Sequence, residues 1–185
     1  MKKKQFLLLF ICFAIIACER DDICAETTAT TPRLKIEFYD VSDSDNLKSV
    51  PRLTLYGEDL VTDEMGNIIE PTVSSDATLV FNSNANAADL PLQIGTEGLV
   101  TTSRFVAEKD SNLRIDGTGD SNIDIIVISY VTEFVYVSRA CGYKSIFTNL
   151  TITREADADN WISNNIEVIE PTVENENTVH VRIFH

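Results

Sequence analysis

The chain has 185 residues, 15 Lys and Arg against 29 Asp and Glu, and a formal charge of −14. A surface this acidic repels the phosphates of nucleic acids and anionic lipids, whose electrostatic binding needs clustered Lys and Arg, so no nucleic-acid partner is expected. The charge itself speaks for solubility rather than for any fold.

In chain order, the first feature is Lys2, Lys3 and Lys4 followed by an apolar run from Phe6 to Ile16. The run is too short to span a bilayer and reads as an export signal. In Ile15-Ile16-Ala17-Cys18 a small residue precedes a cysteine, which resembles the lipobox at which bacteria attach diacylglycerol to the thiol and cleave before it. Residues 1–17 are therefore expected to be a cleavable lipoprotein signal peptide, with Cys18 the lipidated first residue and the membrane a partner through that anchor. Removing 17 of 185 residues leaves 168, with 12 basic against 29 acidic side chains, a charge of −17.

Residues 18–32 read as a tether. Glu19-Arg20-Asp21-Asp22 opens it, and Glu19, Asp21 and Asp22 resemble the short acidic signals that send some lipoproteins to the cell surface; a solvated linker explains them equally well. Cys12 leaves with the signal and Cys18 carries lipid, so Cys24 and Cys141 remain as a pair. Outside the cytoplasm such thiols oxidise, and a Cys24–Cys141 disulfide is expected. Six Cα steps from Cys18 to Cys24 reach about 20 Å when extended. The region around Cys141 would then lie at the membrane-proximal end.

Residues 33–185 are expected to form a single β domain. Leu34, Ile36 and Phe38 alternate with Arg33, Lys35, Glu37 and Tyr39, the period of a strand with one buried face. Further strands are predicted near 53–56, 77–82, 91–94, 99–107, 112–116, 123–130, 133–138, 143–153, 166–170 and 178–184. The Gly, Asn and Asp of Met65-Gly66-Asn67, Asn82 to Ala88, Asp116 to Asp120 and Cys141-Gly142 supply the turns. Ile123 to Ser138 contains no Gly or Pro; a break near Val131 is predicted, with one long bent strand as the alternative. Ala156 to Asn164, anchored by Trp161, reads as a helix or a loop. The expected fold is mainly β, an antiparallel β-sandwich of about 8–10 strands, with a β-barrel as the alternative.

Ile69-Glu70-Pro71-Thr72-Val73 recurs as Ile169-Glu170-Pro171-Thr172-Val173. Shared turn chemistry before a strand explains five matched residues more simply than duplication.

Catalysis requires a nucleophile, a base and a group that orients the base. His180 and His185 are the only histidines, and no H-E-x-x-H, G-x-S-x-G or C-x-x-C spacing occurs. A thiol and base built from Cys141 and His180 conflicts with the expected disulfide, so no catalytic residues are assigned and a non-enzymatic role is expected. The acidic groups Asp116, Asp120, Asn122, Asp124 and Asp40, Asp43, Asp45 lack the spacing of a calcium loop and read as solvated turns, so no metal or cofactor is assigned. Tyr39, Tyr56, Tyr130, Tyr136, Tyr143 and Trp161 could stack on a glycan if they share a face; packing within the fold is the plainer reading.

Asp21-Asp22-Ile23-Cys24, Thr31-Pro32, Leu34 to Phe38, Leu90-Pro91-Leu92, Ser138-Arg139-Ala140-Cys141-Gly142 and Asn177 to Phe184 together resemble the uncharacterised Bacteroidota lipoproteins grouped as domain of unknown function 6452. The pairing of an early D-D-x-C with a later S-x-x-C-G is the most specific part of the likeness. It implies an outer-membrane-associated lipoprotein facing the periplasm or the cell surface, and no activity. From the residues and the resemblance together, the expected role is a binding or assembly module of the cell envelope with a protein partner, or a surface glycan-binding or nutrient-capture accessory, with an enzyme of unknown type as the third reading.

Overall fold

A computed structural model describes Cys24 and residues 30–185. The signal segment, Cys18, Glu19, Asp21 and Asp22 lie outside the described residues. Two five-stranded sheets face each other. The first contains β1 (Leu34–Asp40), β2 (Asp43–Leu47), β5 (Ala87–Leu90), β9 (Ile166–Val168) and β10 (Val181–Phe184), in the order β2-β1-β10-β9. β5 pairs with β1 along the edge that it shares with β2. The second sheet runs β4 (Thr78–Ala85), β3 (Val50–Gly57), β6 (Val100–Lys109), β7 (Asn122–Ser138), β8 (Gly142–Arg154). Neither sheet closes on itself, so the architecture is a sandwich and the barrel alternative falls away. All strand pairs are antiparallel except β1 and β10, which run parallel from Ile36↔Val181 to Tyr39↔Phe184.

The predicted alternation is realised. Leu34, Ile36 and Phe38 are fully buried and meet Val181 and Ile183 from their own sheet and Leu53, Leu55, Phe105, Ile126 and Ile128 from the other. Burying one such aliphatic side chain is worth about 1.5–3 kcal/mol, and this shared layer is what holds the sheets together. The chain changes sheets at Asn86, between β4 and β5, where its carbonyl accepts the Phe38 amide at 2.8 Å.

Four local expectations are corrected. Residues 112–116 are not a strand: α1 (Ser111–Ile115) forms there instead. β6 and β7 already pair with each other out to Lys109↔Asn122, which leaves the connecting segment no edge to join. Residues 91–94 follow the end of β5 as a loop whose polar groups are met by side chains, with the Gln93 amide donating to Ser103 Oγ and the Gln93 carbonyl accepting from Tyr130 Oη. Asp43 and Asp45, read with Asp40 as a solvated turn, lie in the wholly exposed strand β2. The run through Val131 does not break. β7 is continuous over 17 residues because its partner absorbs the irregularity: Ser129↔Thr151 is followed by Val131↔Thr148, so β8 carries an extra residue beside Asn149, whose φ is +54°. Residues 156–164 are a loop, with the Trp161 indole N–H donating to the Ala107 carbonyl at 3.2 Å.

The repeated five-residue motif serves two different structures. The Pro71 carbonyl accepts from Arg114 Nη2 at 2.9 Å, and the Pro171 carbonyl accepts from the Leu150 amide at 3.1 Å. Val73 is exposed whereas Val173 is fully buried and bridges to Phe147. Thr78 then opens a strand of the second sheet, and Thr178 leads into β10 of the first.

Candidate functional site

Alternation carries β7 inward at Ile126, Ile128, Tyr130 and Thr132, all buried. The same face continues through Phe134 and Tyr136, but no described residue buries it: Glu133 to Tyr136 are all exposed, on both faces of the strand. β8 returns opposite them, with Ser145 facing Phe134 and Tyr143 facing Tyr136. The last six residues of β7 and the start of β8 thus extend beyond the sandwich. At the tip, the Tyr136 and Tyr143 rings meet edge to face with centroids 5.5 Å apart. These rings are 58% and 68% exposed, so their contact excludes little water and leaves most of both surfaces open.

The turn at the tip closes through Gly142 in the left-handed region, φ +68°, a conformation that costs a side-chain-bearing residue more than glycine. The Cys141 amide donates to Ser138 Oγ at 3.0 Å. Cys141 is bonded to Cys24, with Cα atoms 4.8 Å apart, so the expected disulfide forms across 117 residues of sequence. The thiol-and-base reading of Cys141 ends there, because a disulfide sulfur carries no thiolate. A cleft of about 240 Å³ lies beside the disulfide, between Thr30, Thr31, Val137 and Tyr143. The tether then follows the free edge of β8: Thr31 Oγ1 accepts the Ser145 amide at 3.1 Å, Pro32 is buried, and the Arg33 amide donates to Glu176 Oε1 at 2.8 Å. Two cations stand at this end, Arg139 exposed in the turn and Lys144, whose Nζ donates to the Glu174 carbonyl at 2.9 Å.

The other candidate residues lie elsewhere. His180 is 1% exposed; its Nδ1 accepts the Lys35 amide at 3.0 Å, and burial holds its pKa below the ordinary histidine value, against the opposing pull of Glu170 and the Asn175 carbonyl. His185 lies at the opposite end against Phe38 and Trp161, and burial lowers its pKa too. Of the six rings that could share a glycan face, Tyr39, Tyr56 and Tyr130 are buried and Trp161 is half-buried, so only Tyr136 and Tyr143 come together in the open. Tyr56 is pushed up to about 12, first by burial and then by the nearby Glu108 carboxylate. Asp124, from the proposed acidic turn, is buried and structural: it accepts the Ile162 amide at 2.6 Å and Asn160 Nδ2 at 2.8 Å, and burial raises its pKa. Asp40 accepts from Ser42 in its own turn, which lowers its pKa.

Two features escaped sequence reading. Glu108 is fully buried and held by Arg114 through Nε at 2.7 Å and Nη2 at 2.8 Å, with Ser121 Oγ at 2.5 Å. Their spacing of six signals nothing until α1 turns Arg114 back over the sheet. The second is a cavity of about 610 Å³ where β6 runs on past the end of β3; Leu79, Leu92 and Phe105 form its apolar wall, and Glu58, Asp76 and Arg104 its rim. Arg104 is ion-paired to Glu58 and, at 2.9 Å, to Glu155, so the cation on that rim is already neutralised.

The model of a family of unknown function (DUF6452) matches residues 67–185. That is 119 of 185 residues, well over half the chain, and the chain belongs to this family. Neither the curated proteins nor the solved structures contain a match.

Proposed function

We propose that the chain is a cell-envelope lipoprotein of Bacteroidota type, anchored to the outer membrane through lipid on Cys18, acting as a non-enzymatic binding or assembly module for another envelope protein. One observation carries the reading. Cys24, six residues after the lipobox cysteine, is bonded to Cys141 at the outer end of the β7–β8 hairpin. An acyl chain on Cys18 would hold that end within about 20 Å of the bilayer, leaving the opposite end and the broad sheet faces turned toward a partner. A disulfide in a single-core β domain also agrees with an oxidising compartment. A glycan-capture role is the second reading; it rests on Tyr136 and Tyr143, the exposed pair of rings.

Metabolic labelling of the source cells with an alkyne fatty acid tests the anchor. Wild-type protein is expected to take up label and fractionate with membranes, and Cys18→Ala to lose both; unlabelled wild type overturns the proposal. Digestion of wild type on intact cells would assign the Glu19, Asp21, Asp22 segment an export role, and protection would assign the protein to the periplasmic face.

A further inference from the structure

We infer that the tip of the β7–β8 hairpin is itself a lipid-contacting element, entering the phospholipid head-group interface beside the anchor and fixing the domain upright. The inference rests on the lipoprotein reading above and adds a second, protein-borne contact to it. Phe134, Val135, Tyr136 and Tyr143 leave apolar surface exposed on both faces of a strand pair that, among the described residues, only the tether at Cys24, Thr30 and Thr31 borders. A partner docking on one sheet face would leave the other face wet, whereas an interface that the hairpin enters end-on covers both. Tyrosine suits that depth, its ring apolar and its hydroxyl wet.

The charges agree. In a chain with 29 acidic residues, the turn and the strand after it carry Arg139 and Lys144 against the single carboxylate of Glu133 on the outer part of the hairpin, a local excess of cations that is drawn to anionic head groups. Covalent continuity supplies the third argument: the disulfide ties this tip, rather than another part of the molecule, to the tether that starts at Cys18. A diacyl anchor already holds a protein on a membrane, so the tip's contribution is orientation.

The test couples the chain from Cys18 onward, which includes every described residue, to vesicles of phosphatidylethanolamine and phosphatidylglycerol containing a maleimide lipid. With Cys24 and Cys141 joined, Cys18 is its one free thiol, so attachment does not depend on lipidation in cells. Emission of Tyr136→Trp is compared with that of Val41→Trp, at the far end of β1, in vesicles whose lipids are brominated high on the acyl chains. Trp161, at that same far end, is the baseline in both. Quenching of the added indole at residue 136 is expected to exceed that at residue 41 by about threefold or more, with Val135→Trp behaving like Tyr136→Trp. Equal quenching at residues 136 and 41 overturns the inference, as would self-association through the tip that leaves residue 136 unquenched. A failure here leaves the Cys18 label intact, and a failure of the Cys18 label leaves this measurement valid.

Discussion

Residues 122–132 and 133–138 belong to one strand, yet they live in different environments. In the first half, Ile126, Ile128 and Tyr130 are shut between two sheets; in the second, Phe134 and Tyr136 continue the same face into solvent. Their ladders differ as well: β8 pairs with both halves, but β6 pairs only as far as Val131, so the outer half is laddered along one edge. The difference is what lies across from them, since the first sheet ends where the second continues. Hydrogen bonding makes the strand, and what lies beside and across each part of it decides how far that part stabilises the fold.

That contrast can be broken first from the buried side. Phe147, fully buried and edge-on to Tyr130 with centroids 5.1 Å apart, should cost about 3–5 kcal/mol when replaced by Ala, read as a fall in the urea midpoint with little change in slope. Next is the staple at the tip. Replacing Cys24 and Cys141 together by Ser frees a loop of 117 residues and should cost about 2–4 kcal/mol, while the far-ultraviolet β signal at low temperature stays unchanged.

Acid should act on the body and spare the hairpin. Burial holds His180 and His185 below the ordinary histidine value of 6.5, so the unfolded chain takes up protons first on acidification. Their contribution is whole above pH 6.5 and is lost as pH falls through the folded values. Asp124, with its pKa raised by burial, works the other way, its contribution lost as pH rises through its folded value. His180→Gln leaves Asp124 in place, and stability curves between pH 7.5 and 5 should be flatter for this variant than for wild type. The smallest effect belongs to the tip: Tyr136→Ser with Tyr143→Ser should move stability by no more than about 0.5 kcal/mol, since both rings are already in water. A large loss there would mean that the outer half of the hairpin is part of the core after all.

Much of the first half of this contrast was legible in residues. The alternation of Leu34, Ile36 and Phe38 marked a buried strand face, and Cys24 and Cys141, the pair expected from the four cysteines, are the two that bond. The outer half was not, because Phe134 and Tyr136 alternate as Ile126 and Ile128 do, and periodicity reports a strand's faces without reporting what packs on them. β2 was missed because every one of its residues is exposed, and α1 because the alternation of 112–116 looked like a strand that had no free edge to join. The bulge at Asn149 kept β7 whole through Val131, a cause that sits in the partner strand rather than in the run itself.

The most direct test is the intact mass, without reduction, of the protein extracted from its own membranes. The account predicts a chain beginning at Cys18, heavier by a diacylglyceryl group and two hydrogens lighter than its reduced form, which would put lipid and staple on one molecule. A chain without acyl mass, or one with Cys24 and Cys141 as free thiols, would contradict it.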